Sequence, residues 1–141
     1  MQIGVESSRA VENKRIFVVD SDEITRAVLQ FMLHDENETH ELASLEQAYA
    51  KAEQWKPDLI LLGNAIVQSE GVAVLKTIGA RIPGVKIVIV TDTANDATAQ
   101  AGLKAGAHAL LSKPFTIESV RRKVDVQLGR RTALSIPVQV A

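Results

Sequence analysis

The strongest constraint on this chain is a set of four short apolar runs: IFVV (Ile16 to Val19), LILL (Leu59 to Leu62), IVIV (Ile87 to Val90) and ALL (Ala109 to Leu111). Turn or charged residues bound each of them. Their apolarity is continuous rather than alternating, and a strand apolar on both sides must be covered on both faces. That selects a parallel sheet held between two layers of helices. A fifth, weaker strand is expected near Thr39 to Ala43, where low apolarity suggests an edge position.

The segments between the runs have helical spacing. Ile24, Ala27, Val28, Phe31 and Met32 place one apolar stripe on a helix from about Asp22 to His34, with Ser21 or Asp22 as its cap. Ser44 followed by Gln47 makes a capping box for a helix over Leu45 to Gln54, ended before Pro57. After a loop, Val72, Val74, Leu75 and Ile78 mark a third helix ending near Gly79, and Pro83-Gly84 turns the chain. The fourth runs from about Asp96 to Ala105 and stops at Gly106; the last begins at Thr116 and buries Ile117, Val120, Val124 and Leu128. Strand and helix alternate five times, which predicts a doubly wound (βα)5 three-layer sandwich on a five-stranded parallel sheet. Such sheets bind ligands beyond the carboxyl ends of their strands. That rule picks out residues 20 to 22, 63 to 64, 91 to 93 and 112 to 113.

A chain of 141 residues suits one domain with a core large enough to need no staples. We expect the domain over residues 14–128, with a flexible N-terminal extension at 1–13 and a C-terminal tail at 129–141. A net charge of −1 gives no long-range field toward nucleic acid or membrane, and zero cysteines exclude a disulfide framework, a thiolate zinc site and a cysteine nucleophile. No stretch approaches the roughly 18 apolar residues of a membrane span, and the polar N-terminus lacks the apolar centre of a secretion signal. The expectation is a cytoplasmic, non-enzymatic protein.

VVDSD (Val18 to Asp22), PDLILLG (Pro57 to Gly63), VIVT (Val88 to Thr91) and SKPF (Ser112 to Phe115) fall in order at four strand ends. In this arrangement the chain resembles the response-regulator receiver domain of two-component signalling, over about Lys14 to Leu128. The resemblance implies a flavodoxin-like fold and a phosphorelay role. It also implies a pocket with an acidic pair after the first strand for Mg²⁺, an acceptor aspartate after the third, a hydroxyl after the fourth and a lysine after the fifth. Hard oxygen ligands suit Mg²⁺, which neutralises charge during phosphoryl transfer.

Set against that pattern, Asp20 matches the first acid but Ser21 replaces the second, and Gly63 replaces the acceptor. Thr91 and Lys113 match, with Pro114 after the lysine as in the family, where that bond is commonly cis. Asp92 replaces a small residue, and Leu110 stands where the family has an aromatic switch. No cofactor is expected, and Mg²⁺ binding is expected to be weak or absent, Asp20 being the one weak candidate ligand. Asn64 cannot serve as a phosphorylated carboxylate, and a one-residue slip would turn the strand's side chains to the wrong face. Asp92 either pairs with Lys113 or caps a loop or the helix near Asn95, while Asp20 is the safer partner for Lys113, since a buried lysine without one is costly.

The arginines and lysine at 121, 122, 123, 130 and 131 read as a solvated helix face rather than a nucleic-acid site. His34, His40 and His108 lack metal-ligand spacing, Trp55 reads as a packing residue, and the final RRTALSIPVQVA reads as a tail or a pairing strand. The expected function is a phosphorylation-independent pseudo-receiver that binds a protein partner, or forms a homodimer, through its fourth helix, fifth strand and fifth helix, with histidine kinase contact also open. With no output domain in the sequence, its effect is expected to pass through a separate partner unless the chain is an excised domain. The alternative is a receiver phosphorylated by a histidine kinase on a relocated carboxylate, at Asp20, Asp22 or Asp92.

Overall fold

A computed structural model describes residues 13–130. The expected extension and tail therefore lie outside the described residues, apart from Asn13, Gly129 and Arg130. Five parallel strands form one sheet in the order β2-β1-β3-β4-β5: β1 Arg15–Val19, β2 Glu38–Leu42, β3 Leu59–Gly63, β4 Lys86–Thr91 and β5 Ala109–Ser112. Six helices accompany them: α1 Glu23–Leu33, α2 Leu45–Ala52, α3 Asn64–Glu70, α4 Val74–Arg81, α5 Ala97–Ala105 and α6 Ile117–Gln127. This is the doubly wound α/β architecture, and β2 lies at the edge as its polar sequence requires. The apolar runs of β1 and β3 are buried throughout, and two separate cores lie on opposite faces of the sheet. Phe17, Ile60 and Leu62 point into one, and Ile16, Val18, Leu59 and Leu61 into the other.

Three features depart from expectation. The buried row of α1 is Thr25, Leu29 and Leu33, whereas Ile24 is 73% and Phe31 67% exposed. The Asp22 cap fits this rotation: its carboxylate accepts the Ile24 N–H at 3.1 Å and the Thr25 hydroxyl at 2.7 Å, with Thr25 inward and Ile24 outward. Leu29 and Leu33 then follow Thr25 at a spacing of four. The segment after β3 is not a loop. Helix α3 starts at once, buries Ile66 and Val67 against the sheet, and ends at Gly71, whose φ of 92° suits glycine. Finally, α4 continues past Gly79 to Arg81, since Gly79 keeps helical geometry and faces open space.

The capping signals hold with one change of partner. Ser44 accepts the Gln47 N–H at 3.2 Å, but the Gln47 side chain reaches back to the Ala43 N–H at 2.9 Å. Thr116 and Ser119 form a reciprocal box at the start of α6, whose Ile117 is exposed rather than buried. The Lys113-Pro114 bond is cis. The basic residues near the C-terminus are tied into the surface: Arg121 donates to the Met32 carbonyl and faces Asp35 and Glu36, and Arg122 pairs with Glu118. His34 and His108 are exposed; His40 is half-buried between Phe17 and Trp55.

Leu29→Ala is expected to lower unfolding free energy by about 2–5 kcal/mol through a cavity, whereas Phe31→Ser should change it by less than about 0.5 kcal/mol. Urea denaturation of the two variants checks the assignment.

Candidate functional site

The strand ends gather one polar hollow of about 240 Å³, whose lining includes Asp20, Asp22, Asn64, Thr91, Asp92 and Lys113. Register explains its floor. Val19 pairs with Leu62, so the next residues, Asp20 and Gly63, are neighbours across two adjacent parallel strands. Side chains of such neighbours share a face. Because Gly63 has none, the Asp20 carboxylate lies over its α-carbon: a Cβ built on Gly63 would sit 2.5 Å from Asp20 Oδ2 and 2.6 Å from Asp20 Cγ. No carbon tolerates such contacts, so any side chain at 63 requires Asp20 to move.

Asp20 is only 7% exposed, and burial raises its pKa above the ordinary carboxylate value. The Asp22 N–H, donating to Asp20 Oδ1 at 2.9 Å, opposes that shift; Lys113 and Arg26 oppose it more weakly. Asp22 behaves in the opposite way. Hydrogen bonds from the Thr25 hydroxyl and the Ile24 N–H lower its pKa while it caps α1.

The remaining groups are engaged within the chain. Lys113 Nζ lies 3.1 Å from Asp92 Oδ1, with the lysine side chain 42% exposed. The lysine is therefore not buried, and the pairing expected with Asp20 is replaced by an outer one with Asp92. A solvated pair of this kind contributes about 1 kcal/mol at most. Thr91 is buried, and its hydroxyl donates to the Thr93 carbonyl at 3.0 Å. Ser21 is exposed, Pro114 is exposed, and Leu110 is half-buried against the core on the Phe17 face.

One partnership escaped the sequence reading. Asn64 is 8% exposed, and its amide donates to Asp96 Oδ1 at 2.9 Å. Asp96 also accepts the Ala99 N–H at 3.0 Å as the cap of α5, and these two bonds, the backbone one foremost, lower its pKa. Asp96 rather than Asp92 is thus the helix cap. Asn64 Oδ1 is buried without a hydrogen-bond partner. Nothing in the local sequence couples residues 64 and 96; only the closeness of α3 and α5 brings them together. Among the described residues, no three His, Cys, Asp or Glu side chains are grouped to hold a metal ion. No helix there is long and apolar enough to cross a membrane.

A doubly wound sheet with an acid, a hydroxyl and a lysine at its first, fourth and fifth strand ends defines a receiver-type protein. The chain belongs to the response regulator receiver domain family, whose model matches residues 16–125. It is 32% identical to the alkaline phosphatase synthesis transcriptional regulatory protein PhoP of Bacillus subtilis, over 89% of this chain and 52% of that protein. It is 26% identical to the KDP operon transcriptional regulatory protein KdpE of Escherichia coli, over 86% of this chain and 54% of that protein. The chain thus spans about half the length of these relatives. Among solved structures, a response regulator from Thermotoga maritima superposes with a TM-score of 0.75 at 19% identity, covering 83% of this chain and 98% of that one. The receiver domain of a sensor histidine kinase from Pseudomonas aeruginosa, with magnesium in its active-site cleft, gives 0.71 at 25% identity over 83% and 98% of the two chains.

Two outcomes test the contact between Asp20 and Gly63. Gly63→Ala should destabilise the fold by about 1–3 kcal/mol, as overpacking does. Adding Asp20→Ala should recover part of that loss, giving a favourable coupling in a double-mutant cycle. Asp20→Asn keeps the acceptor for the Asp22 N–H and removes the buried charge. A raised folded pKa favours folding most below the unfolded value of about 3.9, and that advantage disappears as pH rises through the folded value. The Asn variant should therefore unfold at higher temperature than the natural chain at pH 7, with the gap closing toward pH 4. Thermal unfolding followed by circular dichroism across that range measures it.

Proposed function

We propose that this receiver domain signals without accepting a phosphoryl group, as a binding module whose state is fixed by its own side chains. The observation that carries the reading is the Asp20 carboxylate resting where a side chain at position 63 would begin, with Cγ 2.6 Å from the built Cβ. Glycine offers no nucleophile there, and the space is filled from the neighbouring strand. The hydroxyl of Thr91 is turned to its own loop, and Lys113 is held outward by Asp92. Leu110, without a ring or hydroxyl, cannot relay a movement of Thr91 as an aromatic switch would.

The donors also fit a divalent cation poorly. Asp20 contributes a carboxylate whose ionisation burial disfavours, and Ser21 adds no charge. Asp22 is committed to the α1 cap. Weak or absent Mg²⁺ binding follows from that set.

A protein partner is the natural recipient of the signal. The face of α5, β5 and α6 offers exposed Leu103 and Ile117. It would serve a separate protein or a second copy of the chain. Contact with a histidine kinase remains compatible with this fold even without transfer.

One observation favours a second reading. Of the three carboxylates that could replace the acceptor, Asp22 is a cap and Asp92 is an exposed ion-pair partner, but Asp20 occupies the vacated place. Phosphorylation on Asp20 is therefore the alternative worth separating.

Intact mass after incubation with a small-molecule phosphodonor and Mg²⁺ separates the two. The natural chain is expected to gain no phosphoryl group. A gain that Asp20→Asn abolishes would replace the first reading with the second.

A further inference from the structure

The hollow at the strand ends holds more acid than the chain's own cations neutralise. Its lining includes four carboxylates, Asp20, Asp22, Asp92 and Asp96, and one lysine, Lys113. That lysine is turned outward to Asp92, at 3.1 Å. Arg26 is spent as well: its Nη1 donates to the Asp20 carbonyl at 2.7 Å, and its Nε lies 3.6 Å from Glu41. Hydrogen bonds lower the pKa values of Asp22 and Asp96, so both carry charge at neutral pH.

Two acceptors on its wall are also unused. Asn64 lines the hollow and is only 8% exposed; its amide nitrogen donates to Asp96 at 2.9 Å, while its Oδ1 is buried without a donor. A buried acceptor left unpaired carries a desolvation cost, which a ligand supplying the donor removes. Asp20 takes its one hydrogen bond on Oδ1, from the Asp22 N–H, and Oδ2 has none among the described residues. Asp20 lies over Gly63 and Asn64 follows it in the chain, so both acceptors adjoin the same glycine. Such a place calls for a cation that brings several N–H donors. A metal ion fits it less well, since among the described residues no three acidic, imidazole or thiol side chains are grouped to hold one.

We propose that the hollow receives the guanidinium of an arginine side chain presented by a protein partner, which donates to Asp20 Oδ2 and Asn64 Oδ1. A guanidinium carries five N–H donors in a rigid plane and keeps its charge when buried, whereas an ammonium donates from a single point. Acceptors on two elements, just past β1 and at the start of α3, suit the fork. Its charge also favours the ionised form of Asp20, which burial alone disfavours. Size selects the tip of a longer chain. A volume of about 240 Å³ holds about eight waters at ~30 Å³ each, room for a guanidinium and its first methylenes, and falls below the ~300–1,000 Å³ of sites that enclose a whole small molecule. A guanidinium can sit there only if, as proposed above, no phosphoryl group is accepted at Asp20.

Backbone and side-chain amide spectra of the full chain test this, titrated with Nα-acetyl-argininamide and, separately, with its citrulline and lysine counterparts. The arginine probe should give saturable shifts at the Asn64 side-chain amide and at the Asp20 and Asn64 backbone amides. The citrulline probe, neutral and of nearly the same shape, should give none. The lysine probe should bind at least about tenfold more weakly, and Asp20→Asn should weaken the arginine probe at least about tenfold. That variant is expected to be the more heat-stable at pH 7, so unfolding does not account for the loss. Equal shifts with arginine and citrulline, shifts that survive Asp20→Asn, or a lysine probe as tight as the arginine one would overturn the proposal. So would an absence of shifts. In a chain whose mass shows no phosphoryl gain, that absence leaves the reading of a closed pocket standing, whereas a phosphoryl group on Asp20 would remove both.

Discussion

The contact on which the pocket depends is between a carboxylate and an absence. Asp20 and Gly63 are neighbours because β1 and β3 run parallel in a register fixed by buried apolar pairs such as Val19 and Leu62. With no side chain at 63, the Asp20 carboxylate settles over the glycine, out of water, and its pKa rises. A charge in that position is costly, and the chain offsets it with the Asp22 N–H and, at longer range, Lys113 and Arg26. The hollow at the strand ends keeps the outline of a receiver pocket while its centre is filled from within.

Around that centre the polar groups are spent on structure. Asp22 caps α1, and Asp96 caps α5 while accepting the Asn64 amide. Thr91 closes its own loop, and Lys113 is drawn outward to Asp92. A phosphoryl group would have to compete with each of these bonds. The exception is Asn64 Oδ1, buried and unpartnered, a local cost that the bond from its amide to Asp96 accompanies.

The fold was legible because its signal is coarse: continuous apolar runs demand cover on both faces, and β2, lacking one, could only be an edge. The order of strand ends and the identity of the pocket residues followed from the same pattern. What escaped depended on geometry that periodicity does not carry. The stripe on α1 is ambiguous in the sequence because that helix is apolar on two sides; the sheet buries the side with Leu29 and Leu33, and the Asp22 cap agrees with that orientation. Helix α3 was missed because its seven residues hold too few turns to show a period; its ending at Gly71 was the available sign. The Lys113 partnership depends on exposure, which the sequence does not carry: 42% of the lysine side chain meets solvent, where Asp92 lies. The bond from Asn64 to Asp96 spans two helices and has no local signature at all.

The central claim, that this pocket is closed to a phosphoryl group by its own side chains, is most directly tested by backbone amide spectra. These would be recorded with beryllofluoride and Mg²⁺, which together mimic an acyl phosphate on a carboxylate. The account predicts that the amides of Gly63, Thr91 and Lys113 keep their positions throughout the titration. Saturable shifts at those residues would contradict it, and their loss in Asp20→Asn would identify the carboxylate responsible.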